Sequence, residues 1–325
     1  MTVPLTRRIL SGVQPSGKLH LGNYFGAIKQ HIALQSDGRS FYFLADYHSM
    51  TTVQDGRLRR QLTNDAAMDY LALGLDPNKA IFFRQSDVPE VCELAWVLGT
   101  VINMGLLERA HSYKDKLAKG FEPSVGLFTY PILMAADILI YRSHVVPVGE
   151  DQVQHIEITR DIAEKFNRIY GDVFPLPDHR LEAGAKVPGV DGQKMSKSYG
   201  NTIEIFAEGK PLKKSVMGIV TDSTPVEAPK NPETCTVFTL YKLFANADEQ
   251  RALAERYRAG GMGYGEAKTL LLEKIEGYFG PFREKRKQLA NDPAFVEDVL
   301  RDGAKKARAE AKLTMDLVRR AVGLG

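Results

Sequence analysis

Short apolar runs that alternate with long helical patterns are the feature of this chain that most constrains its fold. The strand-like runs, rich in β-forming residues, lie at 9–13, 41–45, 80–83 and 145–148. Helical patterns such as 58–73 and 91–101 separate them. Strands that alternate with helices predict an α/β fold with a parallel sheet. Ligands of such sheets bind beyond the carboxyl ends of the strands, so the residues directly after each strand are the candidates for function.

The pattern changes after about Tyr199. The charged, helical segments of the second part lie at 245–258, 264–278 and 304–322. Turn-rich connections join them. We therefore predict a Rossmann-like, ligand-binding sheet domain over residues 1–199 and a smaller α-helical domain over residues 200–325. The last helix of the second domain could pack back on the first.

The composition argues against several classes of protein. The chain has 325 residues, of which 44% are hydrophobic, and it can bury a sizeable core. No stretch approaches the roughly 20 apolar residues that a membrane-spanning helix needs, and the first residues lack the apolar core of a signal peptide. Cys92 and Cys235 are too few for a disulfide framework or a cysteine-rich metal site. We therefore expect a soluble, cytoplasmic protein with no membrane partner and no metal bound by protein ligands alone.

The charge of the chain gives only a weak indication of partners. A net charge of +3 does not identify a nucleic-acid binder, because the electrostatic footprint of such a protein is local. The segment 283–320 carries eleven Lys or Arg against seven Asp or Glu. This excess suits RNA, although from charge alone an ordinary solvated helix face is the better interpretation.

A polar turn punctuated by glycines follows the first apolar run, with the sequence QPSGKLHLGN over residues 14–23. A strand-to-helix turn of this kind presents backbone N–H groups and the positive end of a helix dipole to an anion. Gly22 allows a close approach, while His20 and Asn23 can donate hydrogen bonds to phosphate or ribose. An ordinary loop with a helix-capping Asn is the alternative.

A second glycine-flanked segment, Lys194-Met195-Ser196-Lys197-Ser198, follows the turn-forming residues 189–192. Two lysines three positions apart suit a mobile clamp that follows the charge of a polyphosphate. A solvated basic loop has the same charge pattern.

A third segment, YPILMAADIL over residues 130–139, has a helical pattern. It places Tyr130, Met134 and Asp137 on one helix face. A carboxylate on an apolar helix is costly to bury unless it accepts hydrogen bonds. Asp137 is therefore either a ligand acceptor or a structural carboxylate with protein donors.

A fourth segment, VPVGEDQ, follows as a strand that runs into a helix. Gly149 at the strand end allows a close approach, and Glu150, Asp151 and Gln152 supply acceptors for ribose hydroxyls and an ammonium group. An acidic helix N-terminus, favoured by the helix dipole, would also explain Glu150 and Asp151.

The pair HLGN and KMSKS resembles the two signature motifs of the class I aminoacyl-tRNA synthetases. The resemblance implies that His20, Gly22 and Asn23 hold ATP, and that Lys194 and Lys197 stabilise its phosphates as the leaving group departs. This chain departs from the commoner HIGH form at Leu21 and at Asn23, which still donates a neutral hydrogen bond.

YPILMAAD, VPVGEDQ and TRDIAEKFN look like the tryptophan-specific branch of that family, over a resemblance that runs from about Ile9 to the end of the sequence. It implies that Asp137 accepts the indole N–H, that Tyr130 and Gln152 receive the α-ammonium, and that Met134 packs on the ring. His48 would line the pocket, although a structural histidine is nearly as good an interpretation. The residues implied around ATP are Gln14, Pro15, Ser16, Gly22, Asn23, Gly149, Glu150, Asp151, Val187, Lys194, Met195, Ser196, Lys197, Ser198 and, ranked below these, Lys116.

The tyrosine-specific sister group is the nearest alternative. It usually has a glutamine where Met134 stands, and a thioether suits a larger apolar ring better. A small-molecule nucleotidyltransferase and a non-catalytic RNA-binding relative are more distant alternatives. The first lacks the long helical second domain, and the second would have lost ligand residues that this chain retains.

The resemblance also implies a reaction and its partners. The tryptophan carboxylate would attack the α-phosphorus of ATP bound with Mg²⁺, and the adenylate would then pass tryptophan to the 3′ end of tRNA(Trp). No enzyme nucleophile is required. A homodimer is implied, in which the helical domain of one subunit binds the anticodon arm of a tRNA whose acceptor end enters the other subunit.

Overall fold

The first part of the chain forms a five-stranded parallel sheet. The computed structural model describes residues 7–109, 122, 124–181 and 186–325, and all of their side chains except that of Asp151. The strands are β1 Arg8–Val13, β2 Arg39–Leu44, β3 Ala80–Arg84, β4 Val145–Val148 and β5 Asp178–Leu181. They lie in the order β3-β2-β1-β4-β5, and every neighbouring pair is parallel. This confirms the predicted α/β fold and four of its strands, but β5 was not predicted because its four residues are exposed and include Asp178, His179 and Arg180.

The helices account for most of the remaining chain. They are α1 Leu21–Asn23, α2 Lys29–Ala33, α3 Asp46–Ser49, α4 Gly56–Ala72, α5 Glu90–Gly99, α6 Met104–Glu108, α7 Val125–Ile140, α8 Val153–Tyr170, α9 Gly209–Met217, α10 Thr236–Tyr241, α11 Ala247–Ala259, α12 Tyr264–Asn291 and α13 Pro293–Val322. A single π-helical stretch, Tyr24–Ile28, joins α1 to α2. None of the described helices is both long enough and apolar enough to cross a membrane.

The chain forms two compact units that interleave along the sequence. The sheet unit contains residues 1–17, 31–182 and 289–325, and the helical unit contains residues 18–30 and 183–288. A single boundary between residues 199 and 200 therefore does not describe the two units.

Backbone pairing explains why residues 18–30 belong to the helical unit. The N–H of Leu21 donates to the carbonyl of Ile203 at 3.0 Å, and the N–H of Ile205 donates to the carbonyl of Leu19 at 3.0 Å. These partners are far apart in the sequence, so local patterns could not reveal them.

The core of the sheet unit lies where the central strands meet the buried sides of α5, α7 and α8. Phe41 on β2 stacks on Tyr141, which follows α7, with ring centroids 4.9 Å apart. α7 runs through Pro131, and the Ser124 hydroxyl accepts from the N–H of Leu127 at its first turn. A fixed α7 is what holds the predicted ligand residues in place.

α13 covers the outer edge of the sheet at β3. A Cβ atom at Gly303 would overlap the carbonyl oxygen of Phe82, so only glycine permits this approach of helix to strand. Salt bridges extend the contact, with Arg308 Nε 2.7 Å from Glu90 Oε1 and Arg319 Nη2 2.6 Å from Glu93 Oε2. The last helix therefore belongs to the sheet unit.

The helical unit has an aromatic core of its own. Tyr24, Phe25, Phe244, Tyr278 and Phe279 pack edge to face, with ring centroids 5.1 Å apart for Tyr24 and Phe279 and 5.2 Å for Phe25 and Phe244. The hydroxyls of Tyr24 and Tyr278 lie 3.0 Å apart. This core fixes the segment that follows the HLGN turn.

Candidate active site

The strand order reverses between β1 and β4, and two of the predicted segments follow these strands. Gln14, Pro15 and Ser16 come directly after β1, with Pro15 buried and the other two exposed. Residues 149–152 follow β4, where Glu150–Gln152 form a single 3₁₀ turn before α8. The positions at the carboxyl ends are confirmed, and their contact with adenosine stays a prediction.

Asp137 on α7 lies at the centre of a buried hydrogen-bond network. Its side chain is nearly inaccessible to solvent. His48 Nε2 lies 2.9 Å from Oδ2, and the amide nitrogen of Gln85 donates to Oδ1 at 2.9 Å and to Oδ2 at 2.8 Å. Because a carboxylate oxygen offers two lone pairs, Oδ1 keeps acceptor capacity for a further N–H donor.

The partners of Asp137 are themselves held in place. The Gln85 side-chain oxygen accepts from the backbone N–H of Tyr47 at 3.0 Å and from that of His48 at 3.4 Å. This fixes the orientation of the Gln85 amide, so its nitrogen must face the carboxylate. Asp46 accepts from the N–H of Ser86 at 3.0 Å and so joins the ends of β2 and β3.

Burial raises the pKa of the Asp137 carboxyl above its usual range, while hydrogen bonds from His48 and Gln85 act in the opposite direction. Asp137 therefore has protein donors, as a structural carboxylate would, and it also keeps acceptor capacity for an N–H donor of a ligand. The two interpretations of Asp137 drawn from the sequence are compatible.

Tyr130, two turns before Asp137 on the same face of α7, contacts two imidazoles. Its hydroxyl lies 2.6 Å from His155 Nε2, and its ring lies edge to face with His48 at 6.2 Å between centroids. Met134 is half-buried against the core of the sheet unit, and Gln152 directly precedes α8. The five residues predicted for tryptophan all belong to the sheet unit, and Asp137, His48 and Tyr130 lie together.

The HLGN turn belongs to the helical unit and is closed by a reciprocal cap. His20 Nδ1 accepts from the N–H of Asn23 at 3.3 Å, while Asn23 Oδ1 accepts from the N–H of His20 at 3.1 Å. Because Nδ1 is an acceptor, a neutral His20 carries its proton on Nε2 and can donate there. The alternative interpretation, in which Asn23 helps to cap the helix, is thus correct in part. The same hydrogen bonds fix the tautomer of His20, the candidate catalytic histidine.

His20 is buried, and burial together with the nearby charge of Lys197 lowers its pKa from 6.5 to about 4. It is therefore uncharged near neutral pH. Both effects oppose a positive imidazole, so the hydrogen that His20 carries on Nε2 belongs to a neutral ring.

The KMSKS segment has a buried anchor and exposed cations. Met195 is buried, its N–H donates to the carbonyl of Val187 at 3.0 Å, and its sulfur accepts from the N–H of Gly22 at 3.4 Å. The side chains of Lys194 and Lys197 are exposed. The two motifs named in the sequence therefore touch each other within the helical unit.

A buried asparagine holds the rest of this segment. Asn201 accepts from the N–H of Ser196 at 2.8 Å and donates to the Asp191 carboxylate at 2.8 Å and to the carbonyl of Lys194 at 3.1 Å. The Ser196 hydroxyl accepts from the N–H of Ser198 at 3.3 Å. The backbone on both sides of Lys194 is thus fixed while its ammonium stays accessible.

Two of the predicted ATP residues lie wholly or partly outside what the structure describes. Lys116 lies outside the described residues, and so does the side chain of Asp151. Their proposed roles toward ATP remain predictions.

Sequence reasoning missed Gln85, His155 and Asn201. Gln85 directly follows β3, so the rule that singled out residues after strands could have found it. His155 lies one turn beyond Gln152 on α8, a spacing that places both on one face. Nothing in the sequence around Asn201 indicated its role.

Comparison with known proteins gives a consistent picture. The chain matches the family of class I tRNA synthetases (W and Y) over residues 6–280. It is 55% identical to the tryptophan–tRNA ligase of Rhodopirellula baltica, over 98% of this chain and 99% of that protein. It is also 55% identical to the tryptophan–tRNA ligase of Fusobacterium nucleatum, over 98% of each chain.

A solved structure shares the fold over nearly the whole length. The crystal structure of tryptophanyl-tRNA synthetase from Campylobacter jejuni, complexed with ADP and tryptophan, superposes with a TM-score of 0.94 at 52% identity. The match covers 98% of this chain and all of that one.

Proposed function

The chain belongs to the class I tRNA synthetases of the tryptophan and tyrosine group. From that premise we propose that the residues around Asp137, together with the HLGN and KMSKS segments, carry out the reaction of a tryptophan–tRNA ligase. It activates tryptophan with ATP, releases pyrophosphate, and transfers tryptophan from the adenylate to tRNA. The observation that carries this assignment is the buried Asp137 carboxylate, which is oriented by Gln85 and His48 and keeps a lone pair for one more donor.

Specificity for tryptophan follows from two features of this pocket: the carboxylate rejects rings that carry no donor, and the wall at Met134 suits a ring larger than the phenol of tyrosine, which could itself donate to the carboxylate. An indole N–H meets a fixed carboxylate acceptor in a dry environment, a strong charge-assisted hydrogen bond. A competitor that cannot donate there leaves a buried acceptor unpaired, which enzymes of this kind penalise strongly. Met134 supplies an apolar, adaptable wall for the ring.

Amino-acid activation requires no enzyme nucleophile, because the tryptophan carboxylate itself attacks the α-phosphorus. The contribution of the protein is to orient the reactants and to stabilise the charge that develops on pyrophosphate. Lys194 and Lys197 are exposed cations on an anchored loop, and His20 adds a neutral donor at Nε2. We assign these residues to the phosphates of ATP.

We propose that Mg²⁺ enters with ATP. Among the described residues, no group of three or more His, Cys, Asp or Glu is placed to hold a metal ion. Mg²⁺ is commonly held by substrate phosphates with few protein ligands, which suits this arrangement. The ion would neutralise phosphate charge before the lysines act.

A homodimer is also part of the proposal. The sheet unit exposes large apolar side chains, among them Trp96 at 77%, Met104 at 62% and Val125 at 78%. A subunit contact would cover apolar side chains of this kind. Trp96→Glu should yield a monomer in sedimentation velocity, whereas Leu313→Glu, at another exposed apolar position, on α13 and 62% exposed, should not. A monomeric wild-type protein with full aminoacylation activity would refute the dimer.

The anticodon arm of tRNA(Trp) is proposed to bind the helical residues 200–288, since residues 289–325 belong to the sheet unit. The excess positive charge of residues 283–320 supports tRNA binding less than the sequence suggested. Two of its cations, Arg308 and Arg319, pair with Glu90 and Glu93. The cytoplasm, where tRNA is charged, is the proposed location.

ATP–pyrophosphate exchange with each of the twenty standard amino acids tests the function. Tryptophan alone should support exchange. Equal or faster exchange with tyrosine would overturn the specificity, and no exchange with any amino acid would overturn the activity.

A further inference from the structure

We propose that Asp46 is a positioning residue for tryptophan recognition, because its carboxylate holds together the two segments that carry His48 and Gln85. With these segments joined, both side chains meet Asp137 in the arrangement that leaves one lone pair for the indole N–H. The inference rests on the proposed function, in which Asp137 accepts that N–H. Asp46 acts through these neighbours and not by binding the ligand itself.

The pairing of the sheet ends just before the pocket. β2 and β3 are paired in parallel up to Leu44 and Arg84. Asp46 and Ser86 each lie two residues beyond this last pair. The backbone ladder therefore no longer fixes the distance between the two segments at the point where their side chains reach Asp137.

Neither segment is stable by itself. The helix that carries His48, α3, has four residues, and the 3₁₀ turn that begins with Gln85 has three. Isolated helices this short are not stable in water, because the first turn fixes many backbone dihedrals for few hydrogen bonds. The positions of both side chains thus depend on contacts made by their neighbours.

The Asp46 carboxylate supplies such a contact. Oδ1 accepts from the N–H of Ser86 at 3.0 Å, and Oδ2 accepts from the Ser86 hydroxyl. The backbone of Asp46 is held in turn, since its carbonyl accepts from the Ser49 hydroxyl at 2.7 Å. Ser86 directly follows Gln85, and Asp46 stands two residues before His48. The two bonds therefore continue the link between the strand ends and set where His48 and Gln85 stand.

The charge of Asp46 has the opposite effect to its hydrogen bonds. Burial and, less strongly, the negative charge of Asp46 raise the pKa of the Asp137 carboxyl. Removal of that charge would favour the ionised acceptor and so would strengthen its bond to an indole N–H. Weaker tryptophan binding in an Asp46 variant would therefore report the lost hydrogen bonds.

Loss of the fold is a separate effect that the test must exclude. Asp46 and Ser86 are half-buried and line a cavity of about 460 Å³ in the sheet unit. Water in this cavity can accept from the Ser86 donors when the carboxylate is removed, so the variant should fold. A matched control is Asp55, whose carboxylate caps α4 by accepting from the N–H groups of Arg57 and Leu58 at 2.8 and 3.1 Å.

The experiment compares Asp46→Ala, Asp46→Asn, Ser86→Ala and Asp55→Ala with the wild type. The two ligands are tryptophan and benzothienylalanine, in which sulfur replaces the indole N–H. Calorimetry gives Kd for both, and pyrophosphate exchange gives KM and kcat for tryptophan. The ratio of the two Kd values measures how much of the affinity depends on the N–H.

We expect Asp46→Ala to raise Kd and KM for tryptophan about tenfold, the effect of one hydrogen bond to a charged group. Kd for benzothienylalanine and kcat for tryptophan should stay within about twofold. Ser86→Ala, which keeps its N–H donor, should raise the tryptophan Kd about threefold. Asp46→Asn should keep most of the discrimination, because its oxygen accepts from the Ser86 N–H and its amide donates to the hydroxyl. Asp55→Ala should lower stability toward denaturant and leave both Kd values unchanged.

Removal of the group that is positioned gives a second test. Gln85→Met keeps an unbranched side chain of similar length without the hydrogen bonds, and it should weaken tryptophan binding about tenfold. Asp46→Ala added to it should cost less than about twofold more, because the bond to Ser86 then has little left to position. A full tenfold further loss would show that Asp46 acts independently of Gln85 and would overturn the proposal.

Equal weakening of both ligands in Asp46→Ala would also overturn it, as would an unchanged tryptophan Kd. If Asp46→Asn loses as much discrimination as Asp46→Ala, the hydrogen bonds to Ser86 are not the cause and the proposal is wrong. If Asp46→Ala does not fold, Ser86→Ala decides the matter by the same two Kd values. Failure of the proposed function is a separate result, since the wild type would then show no tryptophan-dependent exchange.

Discussion

The two groups of residues proposed for catalysis, one in each unit, are built in opposite ways. In the sheet unit, Asp137 and its partner Gln85 are buried and already hydrogen-bonded to each other, and His48 adds a second contact to the carboxylate. Around Lys194 and Lys197 in the helical unit, the backbone is anchored and the charged side chains are exposed. Recognition of one ring needs an acceptor whose place is set before the ligand arrives. Stabilisation of charge that appears during the reaction needs cations that can move to it.

The largest effect is expected from a substitution of Asp137, the buried carboxylate of the sheet unit. Asp137→Asn replaces the acceptor by an amide whose N–H₂ would oppose the Gln85 amide, so we expect kcat/KM for tryptophan to fall about a thousandfold, or ~4 kcal/mol. Steady-state pyrophosphate exchange measures it. Asp298→Asn, at an exposed carboxylate paired with Arg301, is the control and should behave as the wild type. A loss below tenfold would show that Asp137 is structural only.

The next largest effect is expected from a substitution of Lys197, an exposed cation of the helical unit. Lys197→Ala should lower kcat for adenylate formation about a hundredfold and change the ATP KM only a few-fold, because one donor to the leaving group contributes about 3 kcal/mol in the transition state. Transfer from preformed adenylate to tRNA should change much less. Lys213→Ala, at an exposed lysine of α9, is the matched control. A normal kcat with a greatly raised ATP KM would instead make Lys197 a ground-state anchor.

A smaller effect tests whether the anchor of the loop matters. Asn201→Ala removes three hydrogen bonds of the segment, so we expect kcat to fall about tenfold and the free energy of unfolding to fall by about 2 kcal/mol. The tryptophan Kd should not change, because the amino-acid pocket lies in the other unit. Denaturant titration and calorimetry provide the measurements. A changed tryptophan Kd at normal kcat would contradict the contrast between the two groups.

The smallest effect concerns His20. Its folded pKa of about 4 lies below the unfolded value of 6.5, so only the unfolded chain takes up this proton between those values. The contribution of His20 to stability is therefore complete above pH 6.5 and is lost as the pH falls toward 4. An NMR titration should show His20 neutral until about pH 4, with its signal assigned by its loss in His20→Asn. Lys197→Ala should raise this pKa but leave it below 6.5, since burial is the larger cause. A midpoint near 6.5 in the wild type would be inconsistent with a buried, neutral donor.

Local sequence patterns were enough to predict most of the strands and to find the two motifs. Four strands were predicted because apolar β-forming residues cluster there, and both signature motifs were identified by their resemblance to those of the family. β5 was missed because Asp178 and Arg180 resemble a loop. Gln85 was missed although it directly follows β3, and His155 was missed because a single imidazole acquires a role only from its partner in space.

The division into units was beyond local patterns for the same reason. The pairing of Leu21 with Ile203 joins segments far apart in the chain, as does the contact between Met195 and Gly22. Spacing within one motif carries no information about such partners.

The cover that α13 places over β3 has a consequence for the chain as it is synthesised. Arg308 and Glu90 are 218 residues apart, and Arg319 and Glu93 are 226 apart. β3 therefore leaves the ribosome long before the helix that covers it, and its outer edge stays open to pairing with other chains in that interval. Long-range contacts of this kind also form slowly. Delayed translation between these segments should thus increase aggregation of nascent chains, although the finished protein has that edge covered.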